Sequence, residues 1–400
     1  MRLVVRALPI VLLAFALVLL VRPRSAGTVP LYAARQGLMC QTCHFDPNGG
    51  GPRNDFGFAY ARNRHALAPE DSASAWHDLD LTNRVGDRMP LYVGLNQRFM
   101  LLSNRMTSSP NIDRFGFFNM ENGIHLAFQP HQRLTLVYTL DSNSPGGNTF
   151  RSREAFGMIS GFPWDGYLKA GRIRTPYGLR MDDHTVATRN GFGDFGSAGR
   201  FLPYDPRSSD MGVEIGADRG SVFGRAAFTN GRSDVFGFGG DPYAEAKTVK
   251  VGYNNAWYQG GVSLYDDFLK LGSKPYVRDT RWGYYGMTHC GPVAVLGEVG
   301  AGTDHDLTSG AKTNLLAWFG EADYALTRWV SFRARYDYLV DDRSSDRTAR
   351  SDHTYRRYAL EGEVVPVPFA ELRWALRYVD PRDGARPDER QAYLQAHFSY

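Results

Sequence analysis

From Leu91 to the C-terminus, apolar and polar residues alternate with a period of two. Phe118, Met120, Ile124, Leu126 and Phe128 are interleaved with Asn119, Glu121, Gly123, His125 and Ala127. Leu134, Leu136, Tyr138 and Leu140 form a second apolar row. Val330, Phe332, Ala334, Tyr336 and Tyr338 alternate with Ser331, Arg333, Arg335 and Asp337, and Leu372, Trp374, Leu376 and Tyr378 with Glu371, Arg373 and Arg377. Successive side chains on a strand point to opposite faces, so each segment presents one lipid-like face and one polar, charged face. A soluble sandwich shows the same alternation; the connections separate the two.

The pattern predicts strands over 91–102, 117–128, 133–140, 154–160, 166–173, 209–217, 220–229, 247–254, 257–265, 281–289, 292–300, 314–325, 328–339, 354–364, 368–379 and 390–400. Connections after odd-numbered strands run to about 10 to 35 residues and those after even-numbered strands to about 2 to 5, the alternation of long outer loops with short periplasmic turns found in outer-membrane barrels. The predicted fold class is therefore all-β, an antiparallel outer-membrane β-barrel of about 16 strands. The same alternation places the chain before the first strand on the periplasmic side. The last strand agrees: Ala392, Leu394, Ala396, Phe398 and Tyr400 share one face and Gln391, Tyr393, Gln395, His397 and Ser399 the other, with an aromatic girdle residue expected at the rim.

Composition narrows the classes further. Of 400 residues 43% are hydrophobic, with 24 Phe, 22 Tyr and 7 Trp, which excludes a disordered chain. Beyond the first two dozen residues no apolar run approaches the ~20 needed for a transmembrane helix, so a polytopic helical membrane protein is excluded. The net charge of +4 comes without a basic cluster, and nucleic-acid binding has no support. No nucleophile-elbow motif accompanies the Ser, His and Asp residues. Ahead of the barrel, Arg2 and Arg6 precede an apolar stretch from Ala7 to Val21, followed by Arg22, Pro23, Arg24, Ser25 and Ala26. This predicts an export signal over 1–26.

Three cysteines are too few for a disulfide framework, and two lie in Cys40-Gln41-Thr42-Cys43, with His44 next. A zinc site needs further ligands at matching spacing, and a thioredoxin-like redox pair needs a βαβ context; neither is evident. C-x-x-C-H is the spacing for one covalent haem c, with two thiols for the vinyl groups and an adjacent imidazole for the iron. The glycines of Asn48-Gly49-Gly50-Gly51-Pro52 suit a loop folded against a flat macrocycle. Phe56, Phe58 and Tyr60 are expected either to wall the haem or to pack in a short β or helical piece. His65 is the nearest downstream imidazole and the expected sixth ligand, with His77 and Met89 as rivals and Met39 constrained by the neighbouring Cys40 attachment. The segment 27–90 is thus read as a monohaem cytochrome c unit and 91–400 as the barrel. A unit this small needs a staple or a partner surface, so it is expected to fold into or against the lumen.

The charged face predicts a lumen of mixed sign carrying Glu121, Glu321, Asp323, Arg333, Arg335, Asp337, Arg357, Glu361, Glu363, Glu371, Arg373 and Arg377, paired with one another. The long connection from Arg174 to Ser208 is expected to fold into the pore or over its mouth. Asp182, Asp183 and His184 within it form a cation-binding set or solvated loop residues. Cys290 falls at a short turn and carries no assigned function.

Taken together, the export signal, Cys40 to His44, the segment Asn54-Asp55-Phe56-Gly57 and the strand pattern resemble the fused monohaem cytochrome-porins of the bacterial outer membrane, which include the outer-membrane cytochromes of iron-oxidising bacteria. The resemblance implies haem thioethers at Cys40 and Cys43 and a proximal ligand at His44. It implies oxidation of an extracellular donor such as Fe(II), with the electron passing to a periplasmic c-type cytochrome. The competing expectations are a diffusion porin or transport channel whose haem is structural or sensory, and a periplasmic cytochrome fused to a soluble sandwich.

Overall fold

The computed structural model describes residues 30–70, 74–86, 88, 90–107, 112–142, 151–179, 185–190, 209–231, 246–271, 274–340, 354–381 and 388–400. The expected signal segment, Met89, and Asp182, Asp183 and His184 lie outside these residues. Among the described residues there are three short α-helices, α1 (Pro30–Gln36), α2 (Asp55–Arg62) and α3 (Ala187–Asn190). A two-residue strand, β1 (Arg84–Val85), pairs with the start of the barrel.

Sixteen antiparallel strands form the wall: β2 (Leu91–Met106), β3 (Ile112–His131), β4 (Leu134–Ser142), β5 (Arg151–Phe162), β6 (Gly166–Ile173), β7 (Asp210–Arg219), β8 (Val222–Thr229), β9 (Ala246–Asn254), β10 (Tyr258–Leu271), β11 (Lys274–Cys290), β12 (Val293–Asp306), β13 (Lys312–Ala325), β14 (Val330–Val340), β15 (Thr354–Val367), β16 (Ala370–Pro381) and β17 (Glu389–Ser399). Each pairs with its sequence neighbour, and β17 pairs with β2 from Glu389↔Met106 to Ser399↔Asn96, which closes the sheet. Closure leaves no unpaired strand edge, as a spanning sheet requires in hydrocarbon. Each predicted strand corresponds to one of these sixteen.

The outer face is apolar and open: Phe117, Ile215, Leu264, Leu376 and Leu394 are exposed, whereas the alternate residues Glu121, Glu214, Asp337, Glu361 and Arg377 are buried inside. A closed sheet with this exterior is suited to a bilayer. Among the described residues no helix is long and apolar enough to cross a membrane.

Three local expectations are corrected. First, β10 and β11 are separated only by residues 272–273, where a long loop was expected. Asp266 to Leu269 pairs with Val277 to Thr280, and Arg278 binds Asp266 at 2.8 Å across the pair, so a charged run that looks like a loop is held as strand. Second, β3 carries an extra residue opposite Arg98 and Phe99, where the register steps from Glu121 to Asn119. A bulge reverses the alternation beyond it. Phe118, expected outside, therefore faces Met100 on the lumenal side, and Phe115 and Phe117 take the outer positions. Third, Tyr400 is not a girdle residue. Its ring packs against Phe58 and Phe369, both at 5.3 Å, and Phe398 is the exposed aromatic.

The lumen is filled from both sides. The described parts of the β6–β7 connection, 174–179 and 185–190, turn inward as expected: the Gly178 amide donates to Ser263, the Leu179 amide and the Arg189 guanidinium bind Glu298, and the Ala187 amide donates to Asp337. The N-terminal segment is braced against strands on every side. Arg35 pairs with Asp323 of β13, and Asp46 accepts from Lys169 of β6 at 3.1 Å. Asn48 donates to Glu214 of β7 at 2.8 Å, and Arg53 donates to the Ser399 carbonyl of β17 at 2.8 Å. The inferred mixed-sign network is present on β13 to β16. Arg333 lies 3.3 Å from Glu321 and 3.2 Å from Glu361, Arg377 3.0 Å from Glu361, and Arg373 2.8 Å from Glu363.

Candidate haem site in the lumen

Cys40 to Thr42 form one 3-10 turn that places the Cys43 and His44 amides on the Cys40 carbonyl, at 3.1 and 3.2 Å. The loop after His44 returns as a narrow hairpin: His44 bridges to Arg53, Phe45 donates to the Pro52 carbonyl, and Asn54 donates to the Cys43 carbonyl at 3.1 Å. Gly49 sits at φ 86°, and a methyl group there would lie 3.0 Å from Cys40 Cβ and 3.3 Å from its Sγ. Asn54 caps α2 by accepting from the Gly57 amide at 2.9 Å, and its own amide group donates to the Thr42 carbonyl at 3.1 Å. One side chain therefore starts the helix and ties it to the cysteine turn. Gly57 rests directly on the Cys43 backbone, where any Cβ would collide with the carbonyl. The segment Asn54-Asp55-Phe56-Gly57 thus has a structural reason beside the cysteine pair.

Phe56, Phe58 and Tyr60 are on α2, not on a strand, and they separate accordingly. Phe58 packs toward Phe369 and Tyr400, Phe56 is exposed, and Tyr60 turns toward the cysteine side. Beyond the helix, Arg64 and His65 adopt left-handed backbone at φ 51° and 59°. Such conformations cost about 1–3 kcal/mol each and persist only when the surroundings impose them. Here Tyr60 donates its hydroxyl to the His65 carbonyl, and Arg64 forms a two-point pair with Glu70 at 2.6 and 2.8 Å while lying over the Trp329 ring.

Cys40, Cys43 and His44 open onto one cavity of about 680 Å³ between this segment and the barrel wall, with Met39, Gly49, Gly50, Gly51, Arg53, Tyr60 and His65 among its lining. The wall contributes Arg98, Arg333, Arg335, Arg373, Arg377, His125 and His397. Among the described residues no cysteine is in a disulfide. Burial pushes the Cys43 thiol up to about 11, so it is held protonated, and burial lowers His65 to about 4, so its ring is neutral at neutral pH despite Glu371 nearby.

These residues fit haem c: two thiols and an imidazole face one space, the space lies within the roughly 300–1,000 Å³ of ligand sites, and arginines are present for carboxylate groups. The structure brings His65 and Met39 to that space. It removes His77, whose exposed ring pairs with Asp78 at 2.7 Å outside the cavity. His125 and His397, which the sequence reading did not single out, line it from the wall. His125 bonds Asp141 at 3.0 Å, and both ring nitrogens of His397 are engaged, with Glu371 at 3.1 Å and Asn96 at 2.6 Å. Their only sequence signal is membership of the lumenal row. Cys290 is buried at the end of β11, beside the short turn where it was placed.

No protein-family model and no curated protein matches the chain. Solved structures do. The anion-selective porin of Comamonas acidovorans superposes with a TM-score of 0.61 at 10% identity, over 78% of this chain and 100% of that one. The outer membrane channel DcaP of Acinetobacter baumannii gives 0.57 at 12% identity, over 78% and 97%. Salmonella typhi OmpF gives 0.56 at 9% identity, over 79% and 100%. At these identities the likeness is one of architecture: the chain has the closed sixteen-stranded fold of the outer-membrane porins.

Proposed function

We propose that this barrel carries one covalently attached haem c inside its lumen and transfers electrons across the outer membrane. The observation that carries the reading is the position of the C-x-x-C-H turn: both thiols and His44 face a cavity enclosed by the barrel wall. An apolar band of ~25 Å insulates the two sides of such a membrane. A redox group held part-way through it divides the distance. Bound haem supplies one-electron chemistry at iron. Cys40 and Cys43 would hold its thioethers, His44 would be the proximal ligand and His65 the distal one. Arg53 and the wall arginines would pair its carboxylates.

His44 also borders a second cavity of about 430 Å³, lined by Phe45, Phe56, Asp55 and Asp165 near the short turns. In this reading the short-turn end is periplasmic and a c-type cytochrome accepts the electron there. The donor arrives from outside. Fe(II) is the favoured donor, because moving the electron rather than the metal keeps ferric product outside the cell.

The second reading, a diffusion porin or channel with a structural or sensory haem, draws support from the porin fold. One experiment separates them. Haem-loaded protein is inserted into liposomes with a trapped oxidised acceptor and given an impermeant external reductant. Acceptor reduction that is lost in Cys43→Ala supports electron transfer. Equal reduction with both proteins means leakage through a pore, and no transfer by a correctly inserted, haem-loaded barrel favours the channel.

A further inference from the structure

The hydrogen bonds around His65 determine which of its nitrogens carries the proton. The Tyr32 hydroxyl, on α1, lies 2.7 Å from Glu363 Oε1 and 2.5 Å from His65 Nδ1. A phenol has one proton to give. Glu363 lies 2.8 Å from Arg373 Nε and 3.9 Å from Arg333, which keeps it ionised and therefore an acceptor only. Tyr32 thus donates to Glu363, and its oxygen accepts from His65, so the hydrogen sits on Nδ1. Nε2 faces Glu371 at 3.6 Å, too far for a hydrogen bond. The other oxygen of Glu371 is occupied by Arg373 at 2.7 Å and His397 at 3.1 Å. In a neutral ring, Nε2 is left with its lone pair.

The ring is also immobilised. Tyr60 stacks on it with centroids 5.7 Å apart and planes 8° from parallel, and Tyr32 meets it edge-on at 4.6 Å. Tyr32 and Glu363 are 331 residues apart, one on the N-terminal segment and one on β15, so this chain of bonds exists only when the segment is seated in the barrel. Histidines that bind metal commonly donate their second N–H to an acceptor, which sets the tautomer and strengthens the ligand.

We propose that Tyr32 and Glu363 are positioning residues that hold His65 in the Nδ1–H form and leave a strengthened Nε2 lone pair on the side of Glu371, which lines the same cavity. The consequence at iron rests on the proposed haem function; the tautomer is a property of the polypeptide.

The test uses the full-length chain labelled with ¹⁵N-histidine, with His65→Gln to assign the signal. In protein prepared without haem attachment and in haem-loaded protein, Tyr32→Phe keeps the stacking ring and removes the relay, while Glu363→Gln keeps the shape and weakens the acceptor. Without haem, the wild-type His65 signal is expected in the Nδ1–H pattern, and Tyr32→Phe should convert it to Nε2–H. A wild-type Nε2–H or doubly protonated ring would overturn the relay. With haem, Tyr32→Phe should move the reduction potential to a more positive value and shift the low-spin resonance spectrum, and Glu363→Gln should do so in part. A converted tautomer with an unchanged haem spectrum would take His65 off the iron and refute the tuning role. A changed potential with an unconverted tautomer would refute the relay while leaving the haem function standing.

Discussion

Lys169 is the clearest place to test how the N-terminal segment is held. Its ammonium is wholly enclosed, 3.1 Å from both oxygens of Asp46 on that segment and 3.0 Å from Glu214 on β7. Lys169→Met keeps most of the volume while removing the ammonium that lies over the Phe156 ring and is the only cation bonded to these two carboxylates among the described contacts. Removing one partner of a buried pair costs about 3–5 kcal/mol, chiefly because the other charge is left uncompensated. At about 1.4 kcal/mol per factor of ten, that weakens seating by roughly two to three and a half orders of magnitude. The barrel itself should survive, since β6 keeps its backbone pairing with β5 and β7. Two measurements report this: protease sensitivity of the segment, and conductance in planar bilayers, with heat-modifiable migration as the check on the barrel. Asp46→Asn added to Lys169→Met should recover part of the loss, because it removes one of the two stranded charges. A Lys169→Met protein as closed and protease-resistant as the wild type, with no gain from the second change, would refute the reasoning.

Other outcomes follow from the same geometry. Cys43→Ala should impair covalent haem retention, read as weakened haem staining after denaturing electrophoresis. In haem-loaded protein, His65→Ala should replace a low-spin bis-histidine spectrum by a high-spin or methionine-ligated one; an unchanged spectrum would move the ligand to another imidazole. Gly57→Ala drives a methyl group into the Cys43 carbonyl and should destabilise the segment by about 1–3 kcal/mol, measured by denaturant-dependent proteolysis. The hydrogen bonds from Arg64 hold Glu70 below the ordinary carboxylate range, so its contribution is complete above about pH 4.5 and is lost as pH falls through the depressed value. Protease sensitivity of the segment should therefore rise as the pH is taken below the ordinary carboxylate value of about 4.5, with a smaller step in Glu70→Gln.

Much of this molecule is written locally along the chain. Alternation with period two reports which face of a strand meets lipid, and it located every wall strand, with 166–173 recovered to the residue as β6. The mixed-sign lumen was legible for the same reason, because the residues facing inward are the polar half of that alternation. The turn from Cys40 to His44 was legible because its residues are contiguous in the chain. What escaped depends on partners distant in sequence. The β3 bulge is an offset against β2, so nothing within β3 alone announces that Phe118 turns inward. The β10–β11 hairpin keeps its charged run as strand because Asp266 to Leu269 find backbone partners in Val277 to Thr280 across the pair. Tyr400 ends an alternating strand yet packs on Phe58, which reaches it only because α2 is seated in the barrel. His65 was placed by proximity to the motif, but its environment comes from Tyr32, Glu363 and Glu371, which the closed barrel gathers around one ring. Local periodicity encodes the wall; the contents of the lumen depend on contacts that form only once sixteen strands have closed around the segment.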